Sequence, residues 1–307
     1  MKLKSAISNL KLRWNQSAKW NAADYAANSI VQQTWARELI AKLKLRGDEH
    51  ILDVGCGDGK VTEEIARAVP RGAVVGLDAS AEMIAFAGKT FPTSKNPNLK
   101  FQIGDAREIN LLGRVTPCVP PVGKTRSGAR GATRPTFDPA PFDLVFSNAA
   151  LHWVDDHEAI LRGAASVLKS GGRLVISCGG KGNAHEVFLA LRPEMRLKRW
   201  CHYFRKMPLP YFFYAPGDYE KWLPKFGFKI NAVKLATKDV TYDGADGFAT
   251  WLRTTWIPFV QRVPENEREE FIAAVTARYL ARHPLDAKHK VHVRMVRLEI
   301  DAVKNDD

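Results

Sequence analysis

Short apolar runs ending in glycine or aspartate alternate along this chain with stretches whose apolar side chains return every three or four positions. The first rhythm predicts strands buried on both faces, the second amphipathic helices. Ala26 to Leu43 sets Ile30, Leu39, Ile40 and Leu43 at helical spacing, with Gly47 as the stop. Ile51-Leu52-Asp53-Val54 then reads as a strand, and Val61, Ile65, Ala66 and Val69 as the inner face of a helix. Further strands follow at Val74–Leu77, Leu99–Ile103, Phe142–Ser147 and Arg173–Ser177, with helices at Ala81–Ala87 and His157–Leu168. Strands alternating with helices imply right-handed crossovers and a parallel α/β sheet covered on both faces. Ligands in such sheets bind at the carboxyl ends of the strands, so the residues after each strand are the candidates for chemistry.

Composition narrows the class. At 307 residues, 45% hydrophobic and 26% charged, the chain has the make-up of a globular protein with a deep core. No apolar run approaches the ~18 residues of a membrane span. Cys56, Cys118, Cys178 and Cys201 are scattered without a CxxC pair, so neither a disulfide framework nor a metal site is expected. Lys11 and Arg13 interrupt any secretory signal. The basic, acid-free stretch up to Lys19 is read as a leader on a cytoplasmic protein, with a faint likeness to a transit peptide.

The net charge of +13 raises the question of nucleic acid. Within residues 51–185, Arg114, Lys124, Arg126, Arg130 and Arg134 face only Asp138 in the segment 113–141, which also holds 4 glycines and 6 prolines. That composition cannot bury enough surface to offset its ordering entropy, so 113–141 is expected to be a flexible basic insertion between two strands. A nucleic-acid partner stays open but is not favoured; a positive field also steers small anions.

Asp53-Val54-Gly55-Cys56-Gly57-Asp58-Gly59 lies between a strand and a helix. Its glycines allow a sharp turn and close approach of a ligand. The spacing is GxGxG, not the GxGxxG of dinucleotide sites, and Asp53 would repel a pyrophosphate while favouring an ammonium group. The next strand ends at Asp78, followed by Ala79, where a carboxylate can accept from both hydroxyls of a ribose. After the third strand, Gly104-Asp105-Ala106 can meet an adenine edge. Three such features at successive strand ends point to a nucleoside ligand with an amino-acid tail.

These motifs, with Phe142–Trp153 and Leu168-Lys169-Ser170-Gly171-Gly172-Arg173-Leu174, resemble those of class I S-adenosylmethionine-dependent methyltransferases. The resemblance covers about residues 50–177. It implies S-adenosyl-L-methionine as cofactor, held by Asp53, Gly55, Cys56, Gly57, Gly59, Asp78, Ala79, Asp105, Ala106 and Asn148. It also implies a Rossmann-like, doubly wound, seven-stranded and mostly parallel sheet with the last strand antiparallel, plus a helical cap. Lys290–Ile300, where Val291, Val293 and Met295 alternate with His292 and Arg294, can supply the last strand and Lys229–Ala236 its neighbour. The expected organisation is a leader and lid helix over 1–48, a donor-binding core over 49–185, and a cap with the final two strands over 186–307. Residues 186–260 read as one cap insertion between the fifth and sixth strands.

Phe146-Ser147-Asn148-Ala149-Ala150-Leu151-His152-Trp153-Val154-Asp155-Asp156-His157 is similar to the post-strand motif of trans-aconitate and juvenile-hormone-acid methyltransferases, which esterify carboxylates. By that resemblance Gln32 and Trp153 would contact the acceptor carboxylate, and Trp20 and Tyr25 would close the pocket. Trp251-Leu252-Arg253-Thr254-Thr255-Trp256 resembles the stretch where those enzymes carry a basic residue near the substrate, which makes Arg253 a candidate anchor. Thr-Thr-Trp stands there in place of small residues, which implies a differently shaped acceptor. A carboxylate, with a pKa near 4, is already ionised and needs no general base. For a phenol, amine or carbon acid, His152 with Asp155 behind it would be the candidate base. A small-acid acceptor, an RNA or protein acceptor, and a noncatalytic donor-binding module all remain compatible with the sequence.

Overall fold

The computed structural model describes residues 30–109 and 142–306. Its elements run α1 (Ile30–Leu43), β1 (His50–Val54), α2 (Lys60–Ala68), β2 (Ala73–Asp78), α3 (Ala81–Thr90), β3 (Leu99–Ile103), β4 (Phe142–Asn148), α4 (His157–Val167), β5 (Leu168–Gly179), α5 (His185–Arg196), α6 (Pro216–Trp222), β6 (Phe228–Asp243), α7 (Gly244–Thr255), α8 (Ile257–Val260), α9 (Glu265–Leu280) and β7 (Lys290–Lys304). The strands form one sheet in the order β3-β2-β1-β4-β5-β7-β6. β1 pairs in parallel with β2 and β4, β2 with β3, and β4 with β5, while the last strands run antiparallel. The parallel part is what the alternation of elements implied, and the seven-stranded Rossmann-like sheet with an antiparallel end is what the family resemblance implied.

β1, β2 and β4 are buried along nearly their whole length, as their continuous apolar runs require, whereas β3 at the sheet edge buries only Leu99. Residues 32–178, 216–234 and the chain from Glu299 onward form one compact unit. Its core joins Ile51, Val74, Leu99, Phe146 and Val175 of the strands to Leu39 and Leu43 of α1 and Ile65 and Val69 of the α2 region. Arg173 fixes three parts of it: Nε and Nη2 meet Asp301 at 3.1 and 2.6 Å, and Nη1 donates to the Leu43 carbonyl at 3.0 Å.

β5 begins earlier than its apolar pattern suggested. Phe142 pairs with Leu168 but Leu144 pairs with Arg173, so Lys169 to Gly172 bulge out of register, with Gly171 at φ 70°. The polar bulge is invisible to a reading that looks for alternation.

Residues 179–215 and 235–298 form a second unit, whose core is built on Phe188, Trp200, Phe248, Phe259, Phe271 and Tyr279. Phe188 meets Trp256 edge-on at 4.8 Å, and the buried Glu194 carboxylate accepts from Arg278 Nε at 2.6 Å. The cap helices are therefore not one insertion between the fifth and sixth strands. β6 divides them, with α5 before it and α7 to α9 after it. The reason lies in β6 itself: it ends the strand order, and only Phe228 and Val240 of its residues are buried. Such an edge strand carries a weak hydrophobic signal. Among the described residues no helix is long and apolar enough to cross a membrane.

Candidate functional site

At the carboxyl end of β1 the chain reverses through the glycine turn. The N–H groups of Gly55 and Cys56 both donate to the Leu77 carbonyl, at 2.7 and 3.0 Å, which locks the turn to the end of β2. Gly55 sits at φ 79°, and a Cβ there would lie 2.1 Å from that of Ala150. Only glycine lets the loop after β4 close over the turn. Gly57 and Gly59 also have positive φ, and Gly59 leads directly into α2.

The carboxylates at successive strand ends have different surroundings. Asp53 is 2% exposed, and its Oδ2 accepts from the Thr62 hydroxyl at 2.8 Å. Burial pushes its carboxyl up to about 7; the Thr62 hydrogen bond opposes this and the charge of Asp78 adds to it. Asp78 accepts from the N–H groups of Gly57 (3.0 Å), Ser80 (2.9 Å) and Ala79, yet burial still raises its carboxyl above the ordinary value. The Cys56 thiol, buried and beside both carboxylates, is pushed well up and stays protonated. Two desolvated, mutually repelling carboxylates in a glycine-lined turn suit a ligand with a cationic group and hydroxyl donors.

Asp105 is already paired. Arg107 grips it through Nε (3.0 Å) and Nη2 (2.5 Å), and Ala106 lies between the two in the chain. Arg107 Nη1 also reaches Asp155 at 3.1 Å. Asp155, expected behind His152, thus shares the Arg107 guanidinium with Asp105.

Asn148 ends β4, and Ala149 (φ 57°) donates its N–H to Ser177 at 2.7 Å. A turn of 3-10 helix over Leu151–Trp153 follows, where the His152 and Trp153 rings stand 5.5 Å apart and both side chains are partly exposed. His157 anchors that turn from below. Its Nε2 donates to the Leu151 carbonyl at 2.8 Å, so Nδ1 accepts from the Tyr219 hydroxyl at 2.5 Å. Burial pushes its pKa down to about 4, against hydrogen bonds to the Leu151 and Val154 backbone.

His157→Gln is expected to lower stability by about 2 kcal/mol, since it breaks a buried hydrogen-bonded pair. The imidazole titrates at about 4 when folded against 6.5 unfolded. It therefore makes stability fall as pH drops from 6.5 to 4. Urea denaturation across that window should show this contribution in the wild type and lack it in the variant.

Of the remaining sequence candidates, Gln32 lies in the first described turn of α1, while Trp20, Tyr25 and the 113–141 insertion fall outside the described residues. Arg253 is committed to Glu269 on α9, through Nε at 2.8 Å and through Nη2, so its fork is occupied within the cap. Thr62, Arg107, His157 and Tyr219 were not among the candidates. Arg107 stands two positions after Asp105, a local pairing the sequence could have shown; Tyr219 is 62 residues from His157 and left no such signal.

Residues 45–226 match the family model described as a methyltransferase domain. The chain belongs to that methyltransferase family. It is a class I, S-adenosylmethionine-dependent enzyme. The methyltransferase is 29% identical over 231 residues to an uncharacterized methyltransferase of Schizosaccharomyces pombe, covering 72% of this chain and 77% of that one. It is 27% identical over 298 residues to a trans-aconitate 2-methyltransferase of Rhodopseudomonas palustris (strain BisB5), covering 94% of this chain and all of the relative. In fold it is similar to the YcgJ protein of Bacillus subtilis, with a TM-score of 0.56 at 16% identity over 89% of this chain and 98% of that one.

Proposed function

We propose that this methyltransferase esterifies a carboxylate of a small organic acid. The observation that carries the reading is the reach of its likeness to trans-aconitate 2-methyltransferase, which extends beyond the donor-binding core through the cap helices to 94% of the chain. The bound donor supplies an electrophilic sulfonium methyl group. The chain's own residues supply the rest. Asp78 accepts from the ribose hydroxyls, Asp53 faces the ammonium, and Asp105 with Ala106 meets the adenine edge. Cys56, Gly57, Ala79 and Asn148 line the same strand ends.

On the acceptor side, Trp153 and Gln32 orient the carboxylate, whose lone pair is available near neutrality without proton removal. What the protein must provide is alignment and exclusion of water. With Asp155 engaged by Arg107 and His157 fixed and neutral beside this turn, no group here has to take a proton from an acceptor that arrives already ionised.

A panel of carboxylic acids including trans-aconitate, together with phenols and amines, incubated with donor and followed by mass spectrometry, tests the reading. Base-labile methyl esters of one or more acids are expected. Methylated phenols or amines with no ester product would overturn it.

A further inference from the structure

Arg107 stands where the loops after β3 and β4 meet. Its main-chain N–H and Nε share Asp105 Oδ1 (2.9 and 3.0 Å), Nη2 takes Asp105 Oδ2, and Nη1 takes Asp155 Oδ1, 48 residues further along the chain. One planar guanidinium thus holds a carboxylate from each loop. All three side chains are largely shielded, with exposures of 20, 28 and 22%, so these pairs keep more of their attraction than surface ion pairs do. Burial pushes the Asp105 carboxyl up, but the hydrogen bonds and charge of Arg107 outweigh it and hold that group below its ordinary value.

The loop after β4 is pinned elsewhere by the Ala149 N–H on Ser177 and by His157 on the Leu151 carbonyl. Asp155, beyond the Leu151–Trp153 turn, ties it to the loop after β3.

We infer that Arg107 is a positioning residue that couples donor binding at residues 104–106 to the ordering of the acceptor turn, residues 151–155. The inference rests on the donor site proposed above, because a ligand that meets Asp105 and Ala106 fixes the carboxylate on which the Arg107 fork is seated. The fork is rigid, so fixing one edge fixes the other edge and Asp155 with it. A lysine, as a flexible point charge, would not transmit this.

Amide hydrogen exchange of the full chain, with S-adenosylhomocysteine as the probe, tests the coupling. In the wild type the probe should slow exchange in both 104–107 and 151–156. In Asp155→Ala, which removes the oxygen that takes Nη1 and leaves the grip of Arg107 on Asp105 intact, the probe should still slow 104–107, while the slowing at 151–156 falls about fivefold or more. Arg107→Lys should lose the same response, and it carries the test if the first variant does not fold. Equal slowing of 151–156 in the wild type and a variant overturns the coupling while leaving the donor site standing. Failure of the probe to bind or to slow 104–107 in the wild type overturns the donor site, and the coupling with it.

Discussion

Asp78→Ala is expected to weaken S-adenosylmethionine binding about 100-fold or more and to lower stability by about 2–3 kcal/mol. The carboxylate already accepts from three consecutive-loop N–H groups, those of Gly57, Ala79 and Ser80. Removing it leaves these donors at the mouth of the turn without their acceptor, at about 1–3 kcal/mol for each one left dry. The lost affinity has a separate origin. Two hydrogen bonds from a ribose diol to an ionised acceptor contribute roughly 1.5 kcal/mol each or more, which together make about two orders of magnitude in Kd. Asp78→Asn separates the effects, because its remaining oxygen keeps part of the turn intact; it should bind about tenfold more weakly with little loss of stability. Calorimetric titration with a parallel thermal melt reads both quantities. Donor affinity unchanged in Asp78→Ala would remove this residue from the site.

Asp53→Asn is expected to act in opposite directions on folding and binding: at pH 8 the free protein gains about 1–3 kcal/mol while donor affinity falls. The Asp53 carboxyl titrates near 7 when folded against 3.8 as a free group, so between those values the folded state holds the extra proton. Its contribution to stability therefore declines as pH rises from 3.8 through 7. Asparagine keeps an oxygen for the Thr62 hydroxyl and buries no charge. An ammonium group brought near Asp53 favours the ionised form, so donor affinity in the wild type should decrease as pH falls below 7, by up to about tenfold per unit. The variant should lack that dependence. His157 contributes the opposite slope between 6.5 and 4, so each effect is read as wild type minus variant. A donor affinity that is flat with pH in the wild type would exclude Asp53 from the ammonium subsite.

The parts of the molecule that the sequence revealed are those where local chemistry and fold agree. Buried parallel strands must be continuously apolar, and glycine must stand where Gly55 meets Ala150, so β1, β2, β4 and the donor turn were legible from pattern alone. The same holds for Asp53 and Asp78, which the strand ends place without help from distant residues. What could not be read depends on partners far apart in the chain. Asp155 meets Arg107 from another loop, 48 residues away in the chain. Arg253, the candidate anchor, pairs with Glu269, 16 residues further on. β6 was expected over Lys229–Ala236, but it runs on to Asp243, and the mostly unburied residues of that edge strand gave no sign that it divides the cap helices.

The division of the cap helices by β6 also sets an order of assembly during synthesis. β1 to β5, neighbours in the order β3-β2-β1-β4-β5, are all complete once residue 179 has left the ribosome, so five parallel strands can pair before any cap helix exists. The cap core cannot form then, because Phe188 and Trp200 must wait for Phe248, Phe259 and Phe271. A nascent chain stalled after residue 230 should therefore display those first aromatics to solvent, the stage at which a chaperone would find the most to hold.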